Sequence, residues 1–273
     1  MNTKHLTMAI SGLALFGAIH GTAQATIIIN DNFSNDSLGT NTGAGAVGTG
    51  FVSVGQYAAS ESGGNAVIGT VSPHIYSTSV ITSKDSFNPF LTGTTTSTTW
   101  AISSASISNS SYRTYVGLRA ASNNGDHFLA NAQGLYITIF QHSGDYLGPI
   151  SHQGNLIASD HSGNWTILES WDWGFGNSTG PLSITLDTTV DSYSLYFSQG
   201  VTSATGALNG TLSGMGVLPT AFEVGAHGQW AGNTLAIDSI TVATVSAVPS
   251  PSVPSLLVMG LAVMGLGRRF RRQ

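Results

Sequence analysis

The sequence of 273 residues predicts an all-β body built as a two-sheet sandwich. Three observations predict it. Alternation of apolar and polar residues with period 2 recurs along the chain, and Gly, Asn, Asp and Ser punctuate the segments. Helical periodicity is nearly absent away from the two ends. No cysteine is present, so no disulfide staples the fold, and stability must come from a core that a body of about 220 residues can bury.

The strands are read in order. Residues 26–30 form a first strand, and 51–59 alternate around Phe51, Val52 and Val54. Residues 74–82 carry Ile75, Tyr76, Val80 and Ile81, and 98–107 run through Trp100 and Ile102. In 111–120, Tyr112, Thr114, Val116 and Leu118 share one face. Residues 134–142 form the strongest strand, with Leu135, Ile137 and Ile139 on one face and Tyr136, Thr138 and Phe140 on the other. Residues 164–173 place Trp165, Ile167, Trp171 and Trp173 on one parity. Segments 182–187, 192–198, 220–225 and 234–244 complete about a dozen strands. Asn124-Gly125, Ser143-Gly144-Asp145 and Ser162-Gly163-Asn164 supply the residues that tight turns need. The Gly-rich stretch 41–50 reads as a loop, and Thr-rich 93–99 as either a linker or a strand edge.

The body resembles the concanavalin-like (LamG-like) jelly roll. Asp31-Asn32-Phe33 after an apolar strand, the late strand Tyr193-Ser194-Leu195-Tyr196-Phe197 before a Gly, and the terminal strand from Leu235 to Val242 carry the resemblance. It implies pairing of the first and last strands. An immunoglobulin-like sandwich is the competing topology.

Both ends read as addresses. Lys4, the apolar run from Leu6 to Ile19 and Ala23-Gln24-Ala25 form a signal peptide, an N-terminal signal helix over 1–25, with cleavage by signal peptidase after Ala25. The segment 26–247 is the β-sandwich body. The segment 248–273 is a tripartite tail. Its Pro element (248–254) opens with Val248, Pro249, Ser250 and Pro251; an uncharged transmembrane helix (255–267) follows; Arg268, Arg269, Arg271 and Arg272 close it. An apolar run followed by basic residues stops in a bilayer with the arginines on the cytoplasmic side. This tail resembles a PEP-CTERM sorting signal, with Ser250 where that family usually has Glu. The resemblance implies processing by an exosortase, a transient anchor in the inner membrane of a Gram-negative bacterium, and a destination at the cell surface or in an exopolysaccharide matrix or biofilm.

Charge narrows the partners. The body keeps three basic residues, Lys84, Arg113 and Arg119, against all 13 acids, so its formal charge is minus ten although the whole chain carries −5. An acidic body repels nucleic acid and anionic lipid, which excludes both as partners of the body.

Catalytic patterns are missing. The three glutamates Glu61, Glu169 and Glu223 do not form the Glu-x-Asp-x-x-Glu strand of jelly-roll glucanases, and neither Gly-x-Ser-x-Gly nor His-Glu-x-x-His occurs. The expectation is therefore a non-catalytic exported surface or matrix protein. The alternatives are a carbohydrate-binding module and a glycan-active hydrolase or lyase. Ice binding would need a regular Thr array longer than 94–99. Trp171, Asp172, Trp173 and Trp230 are candidate glycan-binding residues, because sugar rings stack on aromatic faces; core packing is the competing role. Asp31 and Asp238 are candidate ligands of a structural calcium, since pairing of the first and last strands would bring them near each other. His142, His152 and His161 with Asp145 and Asp160 are a weaker metal or acid–base candidate, equally well read as exposed loop residues.

Overall fold

In a computed structural model the chain is described at residues 25–34, 50–54, 58–69, 78–106, 114–121, 133–140, 153–160, 162, 164–174, 178–199, 205–229 and 233–246. Every regular element among them is a strand. The chain runs through β1 (Ala25–Asp31), β2 (Phe51–Val54), β3 (Ser60–Ser62), β4 (Asn65–Gly69), β5 (Thr78–Ser83) and β6 (Thr94–Ser106). It continues through β7 (Thr114–Ala120), β8 (Gly134–Phe140), β9 (Gln153–Ser159), β10 (Trp165–Asp172) and β11 (Ser178–Thr179). The last strands are β12 (Leu182–Thr188), β13 (Ser192–Gln199), β14 (Thr205–Thr211), β15 (Phe222–Gln229) and β16 (Thr234–Ser246). The predicted signal, apart from Ala25 at the head of β1, and the whole sorting tail lie outside the described residues.

The strands form two sheets. The nine-stranded sheet has the order β14-β13-β12-β6-β16-β4-β3, with β1 added beside β16 and β11 beside β6. The seven-stranded sheet has the order β10-β9-β8-β7-β15-β5-β2. The first and last strands pair antiparallel, Ala25 opposite Val245 and Asp31 opposite Ile240, as the jelly-roll resemblance requires.

Alternation builds the core. In β12, Leu182, Ile184 and Leu186 point inward, and the polar residues between them point out. Facing them from the other sheet are Val116, Leu118, Ile137, Leu156 and Val224, all in one apolar cluster. Each such side chain contributes about 1.5–3 kcal/mol on full burial. The core lies entirely within residues 25–245, which form one compact unit. The Thr-rich stretch is neither a linker nor an edge. It opens β6, a 13-residue strand held between β12 and β16, with Thr96 and Thr98 buried.

One side of the sandwich is closed by rings lying over glycines. Trp171 stacks on Phe197 with centroids 5.3 Å apart, and Trp173 meets both edge-on. A Cβ added at Gly154 would lie 2.1 Å from the Trp171 ring, and one at Gly206 would lie 2.0 Å from Phe197. Only glycine fits beneath these rings.

Candidate functional site

The seven-stranded sheet is buried on both faces at its centre. Every residue of β7 and of β8 is buried. The inner face belongs to the main core. The outer face carries a second cluster of Val80, Tyr115, Tyr136 and Ile157, with Trp165 packed against it and partly exposed.

The register of β7 on β15 assembles this outer face. It sets Tyr115 opposite His227, Gly117 opposite Gly225 and Arg119 opposite Glu223. The Tyr115 hydroxyl and His227 Nδ1 share a hydrogen bond, and the two rings meet edge-on at 4.5 Å. Arg119 Nε donates to Glu223 Oε2 at 3.0 Å, and Nη2 lies 2.9 Å from the same oxygen. Thr82 Oγ1 donates to it as well, at 2.8 Å. The ion pair is mostly buried, at 7% and 18% side-chain exposure, so its geometry matters more than that of an exposed pair.

Tyr136 forms the floor. Its ring lies over Gly117 and Gly134, where an added Cβ would come within 2.9 Å of its Cδ1 and 2.6 Å of its hydroxyl. Burial pushes the Tyr136 hydroxyl far above the ordinary phenol range, and the Arg119 charge opposes that only in part. Tyr136 is therefore a neutral phenol at any physiological pH.

The face reaches solvent at β10. A bulge between Ile167 and Glu169 adds one residue to this strand. Before the bulge Trp165 and Ile167 point outward; Ile167 is 38% exposed. After it, Ser170 and Asp172 are exposed, and Ser170 Oγ donates to Asn155 Oδ1 at 2.6 Å. Asp172 Oδ1 accepts the Gly174 N–H at 2.8 Å. On the inner side Glu169 accepts from the Tyr193 hydroxyl at 2.9 Å. Burial, this bond and the Glu169 charge push the Tyr193 hydroxyl upward.

The bulge corrects the expected shared parity of the tryptophans. Trp165 belongs to the outer face, whereas Trp171 and Trp173 turn inward. Trp173 is fully buried, and its indole N–H donates to the Thr138 carbonyl at 3.1 Å. It is a core residue and leaves the set of glycan-binding candidates. Trp171 is partly buried against the core, Asp172 is exposed, and Trp230 lies outside the described residues.

The two calcium candidates differ in burial. Asp31 faces the core beside Ile29 and opposite Ile240, and is 1% exposed. Asp238 is exposed, because the inward phase of β16 changes between Ile237 and Ile240. No group of three or more His, Asp or Glu that could hold a metal occurs among the described residues. His142, Asp145, His152 and His161 lie outside the described residues. Asp160 caps its own turn, accepting N–H groups from Ser162 and Asn164 at 2.8 and 2.9 Å.

Sequence reasoning singled out neither Tyr115 and His227 nor Arg119 and Glu223 as a site. One signal was available: Arg119 is one of three basic residues of the body, and it stands between apolar neighbours within a strand.

The fold is that of legume-type lectins, a concanavalin-like jelly roll rather than the immunoglobulin-like alternative. Lectin II from Ulex europaeus superposes with a TM-score of 0.59 at 11% identity, covering 82% of this chain and 99% of that one. Peanut lectin gives 0.59 at 10%, covering 84% and 100%. The Emp47p carbohydrate recognition domain gives 0.51 at 14%, covering 81% and 98%. No protein-family model and no curated protein matches the sequence.

Proposed function

We propose that this chain is an exported, non-catalytic carbohydrate-binding protein that holds extracellular polysaccharide at the solvent-facing β10 margin of its seven-stranded sheet. The observation that carries the reading is the exposure of the β10 margin of that face. Partly exposed Trp165 stands there beside exposed Ile167, Ser170 and Asp172, while Tyr115, Tyr136, His227 and the Arg119–Glu223 pair lie mostly buried behind it. Aromatic faces with polar groups at their margins suit sugar rings, which are apolar on their faces and carry hydroxyls at their edges. The similar folds named above are lectins and a carbohydrate recognition domain, which supports the same reading.

Two carboxylates suited to glycoside hydrolysis sit about 5–10 Å apart. On the described outer face Glu223 and Asp172 stand four strand spacings apart, about 19 Å. That spacing favours binding over hydrolysis.

The ends of the chain supply the address. The signal at 1–25 directs export, and Val248-Pro249-Ser250-Pro251, the apolar stretch 255–267 and the four terminal arginines support PEP-CTERM-like handling at the inner membrane, followed by release to the surface or matrix.

The test is retention of the 25–245 body on a panel of bacterial exopolysaccharides, with and without EDTA. Trp165→Ala is expected to weaken retention by about 2 kcal/mol, roughly 30-fold. Tyr196→Ala, which removes an exposed ring on the other sheet, is expected to leave it unchanged. Loss in EDTA assigns a calcium requirement. Failure to retain any glycan, or equal effects of the two variants, overturns the proposal.

A further inference from the structure

Exposed apolar side chains gather at one end of the nine-stranded sheet. Pairing of β1 with β16 puts Ala25 opposite Val245, so both ends of the chain leave the body side by side, about 4.5–5.5 Å apart. Ser106 Oγ lies 2.7 Å from Thr234 Oγ1, which runs β6 antiparallel to its neighbour β16 and brings Thr94 to the same end. Three loops meet there. Loop 84–93 joins β12 where Thr188 Oγ1 donates to the Pro89 carbonyl at 2.8 Å. In turn 189–191 the Asp191 carbonyl accepts the Leu212 N–H at 2.9 Å, where loop 212–221 begins.

Each of these segments carries a bare apolar side chain: Ile27 beside the first exit, and Leu91, Val190 and Val217 in the three loops. The other large apolar side chains exposed among the described residues, Ile167 and Tyr196, lie on sheet faces. Val217 is 93% exposed and is held in place. Gln133 Nε2 donates to the carbonyls of Met215 and Val217, the latter at 2.7 Å, and the Met215 side chain is buried in the core. Apolar residues exposed singly need no explanation, whereas four at the one end where the chain leaves call for a partner. Charge at this end is slight. The three loops hold one cation, Lys84, and two acids, Asp85 and Asp191, whereas the body as a whole carries minus ten.

The chain that leaves here leads to apolar segments on both sides. Residues 20–24 separate the apolar run of the signal from Ala25, and 246–254 separate Val245 from the apolar stretch of the tail. Such spacers reach at most about 18 and 32 Å when fully extended. We propose that this end of the body seats on the bilayer that holds the tail, with Ile27, Leu91, Val190 and Val217 sunk into the boundary between headgroups and acyl chains. The acidic body disfavours anionic lipid, so the surface is zwitterionic phospholipid. The inference rests on the anchoring read from the tail and adds a second contact to it. The short tether holds these side chains at high effective concentration, so contacts too weak to bind a free body suffice for an anchored one. Cutting the tail removes that advantage, and the same cut therefore frees the body.

Depth-dependent quenching tests the seating. The chain has no cysteine, so a single introduced thiol carries an environment-sensitive fluorophore without interference. The full chain is reconstituted into phosphatidylcholine vesicles with brominated acyl chains, and flotation reads whether it is anchored. A fluorophore at Val217→Cys or Leu91→Cys is expected to shift to the blue and to be quenched by bromine. One at Ser104→Cys, exposed near the far end of β6 and about 33 Å from Thr94, is expected to do neither. The variant Leu91→Ser/Val217→Ser is expected to float as before with unchanged near-ultraviolet dichroism, yet to lose the quenching of a fluorophore at Val190→Cys. A chain that floats with positions 217 and 104 equally quenched, or equally unquenched, overturns the seating and leaves the anchor intact. A blue shift at 217 without quenching means that protein rather than lipid covers it, and overturns the seating as well. A chain that does not float overturns the anchor and the seating together.

Discussion

Asp31 is a buried carboxylate with half of its hydrogen-bonding capacity unused, and replacing it with Asn should stabilise the protein near neutral pH. Its Oδ1 accepts the Phe33 N–H at 2.9 Å, while Oδ2 is buried and has no hydrogen-bond partner among the described residues. Phe33 holds the turn at a positive φ of 47° and is itself fully buried, so the carboxylate cannot easily swing out to water. Burial pushes the Asp31 carboxyl above its ordinary value, and the Phe33 amide lowers it only partway back. The sign follows directly. The folded state binds the proton more tightly than the unfolded chain, so the folded protein is favoured below the unfolded aspartate value of about 4 and loses stability as pH rises from there through the folded value. Asn keeps an acceptor for Phe33 and cannot ionise. An unpartnered buried group costs about 1–3 kcal/mol, more when charged, and the neutral amide keeps part of that penalty; the net gain near pH 7 is about 1–2 kcal/mol. For a body of this size that is a rise of roughly 2–8 °C in melting temperature. Calorimetric melts of the wild type and Asp31→Asn in EDTA, taken from acid to neutral pH, check it. The gain must appear near neutrality and shrink below about pH 4. A variant that melts below the wild type at neutral pH in EDTA, or a gain independent of pH, refutes the reasoning. Repeating the melts in millimolar calcium separates a second role: if calcium raises the melting temperature of the wild type and not of the variant, Asp31 coordinates the cation.

Three further outcomes are expected. Arg119→Met strands the Glu223 carboxylate in a mostly buried place and should destabilise by about 3–5 kcal/mol in urea unfolding, while adding Glu223→Leu should recover much of the loss, because the two effects are not additive. Gly154→Ala should displace the Trp171 ring that overlies it, costing about 1–3 kcal/mol and altering near-ultraviolet dichroism; the same change in a Trp171→Leu background should cost less. Replacing Arg268, Arg269, Arg271 and Arg272 with Gln should weaken membrane retention of the unprocessed chain, and unchanged fractionation would count against a stop-transfer role.

Legibility in the sequence tracked how far local alternation matched the final environment. The β12–β13 hairpin was readable almost to the residue, because the nine-stranded sheet has one wet face and the Leu-Ile-Leu side of β12 alternates with polar residues. The strand β14 was not readable. Two of its seven residues are glycines, and what holds it is the placing of Phe197 and Tyr193 from β13 over those glycines, a cross-strand contact that its own composition does not express. Hairpin β3–β4 was missed as well, although Gly63 and Gly64 both take positive φ and Ala66 and Ile68 alternate after them. In β10 the shared parity of the tryptophans failed because one inserted residue reverses the facing of everything beyond it, and no local residue type announces the bulge. The candidate site was hidden for a topological reason. Strands β7 and β15 are neighbours in the sheet but lie about a hundred residues apart in the chain, so the pairing of Tyr115 with His227 and of Arg119 with Glu223 exists only once the sheet order is known. Burial on both faces of β7 also removes the contrast that alternation relies on: Tyr115 and Arg119 are as buried as Val116 and Leu118, and only their chemistry distinguishes the outer face from the core.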